Sequence, residues 1–161
     1  MSSDILLGDC HTHLDQYPIA EIPDILDRAQ ASGVVFAVSA GTTLQSTQGC
    51  IDLAEQHEPL YAGVGIHPME AHGLVTDEVY SELDRMAKSS SKVVCISEVG
   101  LDFLPESPVH KIQYQVFREH IRLAKSLKLP IIFHSRESHQ EVLRTLREEN
   151  ADEVGGAMHY F

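Results

Sequence analysis

The 161-residue sequence predicts an α/β fold built on a parallel sheet, and three observations lead there. Short apolar runs rich in β-branched residues alternate with segments whose apolar residues recur at three- and four-residue spacing. The runs are apolar on nearly every residue, as strands covered on both faces should be. The segments between them are long enough to act as crossover helices, and strands joined in that way pair in parallel. With 43% hydrophobic residues, the chain is large enough for one domain with its own core, residues 1–161, and not clearly for two.

Taken in order, the strand segments are 5–14, 34–41, 60–68, 92–103, 130–137 and 153–161. The first helix, 21–32, puts Ile22, Ile25, Leu26 and Ala29 on one face and ends at Gly33. Residues 44–57 read as helix with a stripe broken at Gln48. Residues 76–88 carry Val79, Leu83 and Met86, after a capping hydroxyl on Thr76 that lacks a capping-box acid. The longest helix, 109–128, aligns Ile112, Val116, Phe117, Ile121, Ala124 and Leu127, and Pro130 stops it. The last, 139–150, aligns Val142, Leu143 and Leu146. An open doubly wound sheet and part of a (β/α)8 barrel both satisfy this order. No Gly-x-Gly-x-x-Gly follows the first strand and no Walker-type loop occurs, so nucleotide-cradle readings have no support.

A net charge of −12 argues against a broad basic surface for nucleic acid. The imbalance is uneven: residues 1–110 hold 4 Lys/Arg against 17 Asp/Glu, and residues 111–161 hold 8 against 7. A polyanion would have to bind locally, through bound cations or the Lys111–Arg147 region. Cys10, Cys50 and Cys95 are odd in number and widely spaced, which fits reduced thiols and a cytoplasmic protein. Ile5, Leu6 and Leu7 form an apolar run too short for a signal peptide or a membrane span.

The chemistry concentrates in the ten histidines. His57, His72, His110, His120 and His139 fall in helices, their ends or loops, where a solvated side chain or cap is the simplest role, and His120 reads as a residue of the core edge. The other five fall at the carboxyl ends of strands: His11 and His13 on the first, His67 on the third, His134 on the fifth, His159 on the sixth. That is the end at which parallel α/β folds assemble sites. Glu98 closes the fourth strand in a run too apolar to welcome an unpaired carboxylate, so it should have a cationic partner. Residues i and i+2 of a strand share a side, so His11 and His13 can converge on one ion. Five such ligands, His11, His13, Glu98, His134 and His159, exceed one tetrahedral ion and suit two divalent metals, Zn, Mn, Mg, Fe or Ni, bridged by Glu98. Asp9 and Asp15 either orient an imidazole or serve as local caps.

The segments DCHTHLD, GVGIHP, ISEVGLDF, VFREHIRLAKSLKLPIIFHSRES and GAMHYF together resemble the TatD family of metal-dependent deoxyribonucleases, of the amidohydrolase superfamily. The resemblance runs from Asp9 to the last residue. It implies a (β/α)8 TIM-type barrel, of which this chain supplies about six βα units. It implies His11 and His13 as ligands of a first metal, Glu98 as the bridge, and His134 and His159 as ligands of a second. Glu98, His67 and Arg136 match catalytic positions lining the family's site. The implied reaction is cleavage of a DNA phosphodiester, single-stranded or at an end, by a metal-activated water. Two other readings share the ligand set: ester or amide hydrolysis of the aminoacyl-tRNA deacylase or cyclic amidohydrolase type, and a non-catalytic metal-binding fragment.

One departure accompanies the resemblance. The family continues through two more βα units and takes a last Asp ligand from the eighth strand, whereas this sequence stops after its sixth. At roughly 30 residues per unit a full barrel needs about 240–260 residues. The expectation is two thirds of a barrel, with the first-metal side lacking its Asp and strands one and six presenting open edges through which copies of the chain can associate.

Overall fold

The computed structural model describes residues 5–73 and 75–159. Six strands alternate with five helices in the predicted order: β1 (Leu7–Thr12), α1 (Ile22–Ala31), β2 (Val34–Ala40), α2 (Leu44–Gln56), β3 (Leu60–Val64), α3 (Asp77–Ser89), β4 (Val93–Asp102), α4 (His110–Leu127), β5 (Ile131–Arg136), α5 (His139–Glu148) and β6 (Gly156–His159). All neighbouring pairs are parallel. Spatial order follows chain order from β1 to β6, with no point at which it reverses. A doubly wound sheet needs such a reversal. The strands instead curl into a nearly closed barrel, six consecutive units of the TIM-type architecture.

The core lies between the central strands and their helices. Leu60, Val64, Ile96, Val99, Leu101 and Ile131 from the sheet pack with Ile51, Leu83, Phe117 and Ile121 from α2, α3 and α4. β4 is buried along almost its whole length, as a strand apolar at nearly every position predicts. β1 departs from that expectation: Leu7–Cys10 are exposed, because β1 is a sheet edge with a partner only in β2. β6, the other edge, is exposed at Gly156 and Ala157 as well.

Helix ends differ from the sequence reading in two places. Thr76 precedes α3, yet its hydroxyl makes no capping bond. α4 stops at Lys128 in the left-handed conformation, two residues before Pro130 (φ +57°). The α2 start is the well-capped one, with Thr43 Oγ1 accepting the Ser46 N–H at 3.0 Å. Among the described residues, no helix is long and apolar enough to cross a membrane.

Candidate metal centre

Strand register gathers the site. β4–β5 pairing sets Gly100 beside His134 and Asp102 beside Arg136, and β5–β6 pairing sets His134 beside His159. Gly100 is required there: at φ +139°, a Cβ would overlap the carbonyl oxygen of His134. Glu98 is buried, 3% exposed, and every histidine predicted at a strand end reaches it. Its Oε1 lies 3.0 Å from His134 Nδ1, 3.6 Å from His67 Nε2 and 3.8 Å from His159 Nε2. Its Oε2 lies 3.3 Å from His13 Nε2 and 3.5 Å from His11 Nε2. The groups that face Glu98 are thus five imidazoles, where the sequence predicted a cation. Burial alone would raise the Glu98 carboxyl, but hydrogen bonds from His11, His13, His134 and His67 prevail and hold it far below the carboxylate range.

Neighbouring groups fix which nitrogens carry protons. His13 Nδ1 faces the Ala40 carbonyl at 3.0 Å and must donate to it, leaving Nε2 turned to Glu98. His134 lies between two carboxylates, with Nε2 2.9 Å from Asp102 Oδ2 and Nδ1 3.0 Å from Glu98 Oε1. A lone pair facing a carboxylate oxygen is resolved by a proton or by a cation between them. The hydrogen bond to Glu98 raises the His13 imidazole accordingly, against the opposing effect of burial. His11 Nε2 and His13 Nε2 also face each other at 3.3 Å, and His11 Nδ1 is buried without a hydrogen-bond partner. Ligand atoms of His11, His13 and Glu98 lie within 4.8 Å of one another, as do those of His67, Glu98 and His134. Imidazole nitrogens and a carboxylate converging as His11, His13 and Glu98 do fit a divalent transition metal.

His67 differs from the other four. Its Nδ1 accepts the Met69 N–H at 3.1 Å, so the proton sits on Nε2, the nitrogen that faces Glu98. A protonated nitrogen is a donor and not a ligand, which separates His67 from the metal-binding set. His159 stacks on His11 with ring centroids 3.7 Å apart, and burial followed by the neighbouring His11 charge lowers its imidazole. A cavity of about 240 Å³ lined by His13, Gln16, Thr42, His67, Glu70 and Glu98 opens the centre to solvent.

Arg136 reaches the site through Asp102. Its guanidinium grips Asp102 at 2.7 Å, and Asp102 in turn holds His134. Asp102, fully buried, was not singled out from the sequence. It also accepts from Ser107 Oγ and the Leu104 N–H, and its carboxyl is held down to about 2: burial opposes, but the bonds from Ser107 and Arg136 prevail. The carboxylate–imidazole pairing orients a metal-ligating histidine. Neither Asp9 nor Asp15 takes that part: Asp9 accepts the His11 backbone N–H and Asp15 accepts from Ser46 Oγ. Cys10, Cys50 and Cys95 are free thiols, and burial pushes the last two up to about 12, which makes them inert as nucleophiles.

A buried carboxylate ringed by imidazoles at the strand ends of a parallel barrel defines a candidate divalent-metal centre at the end where such barrels place their sites. Comparison with known proteins narrows this: residues 8–161 match the family model described as TatD related DNase, and the chain belongs to the TatD family. It is 35% identical over 158 residues to the uncharacterized metal-dependent hydrolase YabD of Bacillus subtilis, spanning 97% of this chain and 61% of that one. The crystal structure of the TatD homologue YjjV from Escherichia coli superposes with a TM-score of 0.86 at 31% identity, over 96% of this chain and 60% of the other. A hydrolase of the TatD family from Entamoeba histolytica has the same fold, with a TM-score of 0.85 at 23% identity, over 97% and 58% of the two chains. The chain therefore spans about three fifths of the length of the curated relatives it matches.

Proposed function

We propose that the centre serves metal-dependent hydrolysis of phosphodiester bonds in DNA, single-stranded or at an end. The observation that carries this reading is the single buried carboxylate shared by five imidazoles, with His13 and His134 turned toward it by Ala40 and Asp102. In this reading His11 and His13 would hold one divalent ion and His134 and His159 a second, with Glu98 a carboxylate ligand within reach of either. Divalent cations held by these residues would supply an acidified water and would offset negative charge developing on the phosphoryl oxygens. The protein's own groups do the rest. His67 offers its Nε2–H to an oxygen of the substrate, Arg136 places positive charge at the rim, and Asp102 keeps both Arg136 and His134 in place. The DNA preference rests on the family resemblance, since the acidic first 110 residues favour only a locally held polyanion.

The test is a substrate panel with the purified chain and Mn or Mg: end-labelled single-stranded oligonucleotide, duplex, RNA and an aminoacyl ester. Chelator-sensitive release of nucleotides, abolished by Glu98→Gln, is the expected result. A metal-loaded chain that cleaves the aminoacyl ester and no diester refutes the reading, as does a folded chain that binds no divalent metal.

A further inference from the structure

We infer that His120, on the outer helix α4, is a positioning residue for His67. This rests on the role proposed above for His67 as a donor in the site. His120 is fully buried, and both ring nitrogens are engaged. Nε2 lies 3.2 Å from the backbone nitrogen of Ile66, and Nδ1 lies 2.8 Å from the carbonyl of Val116 one turn earlier in α4. An amide nitrogen only donates and a carbonyl only accepts, so the ring carries its single proton on Nδ1 and accepts on Nε2. Desolvation by burial, which lowers the imidazole to about 4, keeps the ring neutral. The bond joins α4 to Ile66, 54 residues away in sequence and immediately before His67.

The strand end that presents His67 is held at each successive residue. Thr47 Oγ1 lies within hydrogen-bond distance of both the Gly65 carbonyl (3.3 Å) and the Gly65 nitrogen (3.4 Å). His120 takes the Ile66 N–H, and the Thr42 carbonyl takes the His67 N–H at 2.9 Å. The His67 side chain then accepts from Met69 N–H, which fixes the Nε2–H tautomer facing Glu98. With the His120 acceptor removed, Ile66 N–H is a buried donor without a partner, and the main chain must shift to satisfy it. A shift of that kind turns His67 away from its donor geometry without touching a metal ligand.

Two-bond nitrogen–proton correlation spectra of the wild-type chain read the tautomers directly. The expected result is neutral His120 protonated on Nδ1 and His67 protonated on Nε2. His120→Met, similar in length but without a comparable acceptor, should mix the His67 tautomers while Mn binding stays unchanged. His120→Gln, whose amide oxygen accepts and whose amide nitrogen donates, should restore the wild-type His67 signals. On a diester substrate the Met variant should lose roughly tenfold or more in kcat with KM little changed, the signature of misplacement rather than lost binding. His120 found protonated on Nε2, or a folded Met variant with unmoved His67 signals, overturns the inference. If the Met variant does not fold, the wild-type tautomers and the Gln variant decide it, and displaced His67 signals in the Gln variant overturn it. Absence of diester cleavage by the metal-loaded wild type would refute the proposed function alone, because the tautomer measurement does not depend on turnover.

Discussion

Replacing Asp102 separates its two tasks, holding Arg136 and orienting His134. The carboxylate is fully buried and its Oδ2 bonds His134 Nε2 at 2.9 Å and Arg136 at 2.7 Å. At 2.7 Å and an effective dielectric near 20, the direct attraction to the guanidinium is about 6 kcal/mol, and desolvation offsets most of it. The net preference for the charged form is visible in the carboxyl held at about 2 against an ordinary 3.8, which at 1.36 kcal/mol per unit is about 2 kcal/mol. Asp102→Asn with its oxygen in the Oδ2 position still meets His134 and Arg136, but without charge, and turns its N–H₂ to the Leu104 N–H and Ser107 Oγ, so it should cost about 2 kcal/mol in urea unfolding. Asp102→Ala loses both partners and leaves His134 free to rotate. Its Mn affinity, read by calorimetric titration, should fall roughly 10- to 100-fold, equivalent to about 1.4–2.7 kcal/mol. A folded Asp102→Ala chain with wild-type Mn affinity would show that His134 either needs no orienting carboxylate or is not a ligand.

Further outcomes follow from the same contacts. His120 is neutral in the fold with its imidazole lowered to about 4 from 6.5, so the unfolded chain binds the extra proton between those values. Its contribution, about 3 kcal/mol from the 2.5-unit difference, is complete above pH 6.5 and vanishes as pH falls toward 4. The difference in unfolding free energy between wild type and His120→Gln across that window measures it, and parallel pH profiles would refute it. Gly100→Ala forces a Cβ into the His134 carbonyl at a backbone angle side chains avoid. It should cost about 1–3 kcal/mol or more and weaken Mn binding through displaced His134. Unchanged urea midpoint and affinity would show that β4 and β5 tolerate the extra atom.

The ligands were legible because strand alternation is a strong rule and the residues that obey it here are chemically conspicuous. His11 in β1 and His13 just past its end both turn to Glu98 Oε2, and His67, His134 and His159 lie at or just past the same end of β3, β5 and β6. The same rule applied to β4 would have found Asp102: Glu98, Gly100 and Asp102 alternate at i, i+2 and i+4, and Glu98 and Asp102 bond opposite nitrogens of one imidazole. Asp102 escaped notice because, followed by Phe103, it reads as a polar strand terminus. The barrel itself was half legible, since alternating strands and helices do not distinguish sequential strand order from reversed order, and only tertiary pairing settles that. His120 shows the deeper limit. Helical periodicity places it beside the apolar face, but its partner is a backbone N–H 54 residues away. Side-chain patterns carry no record of which main-chain groups lack an acceptor. A neutral histidine on an outer helix and the tautomer of a histidine at the site therefore become connected only when the strand end between them is in place.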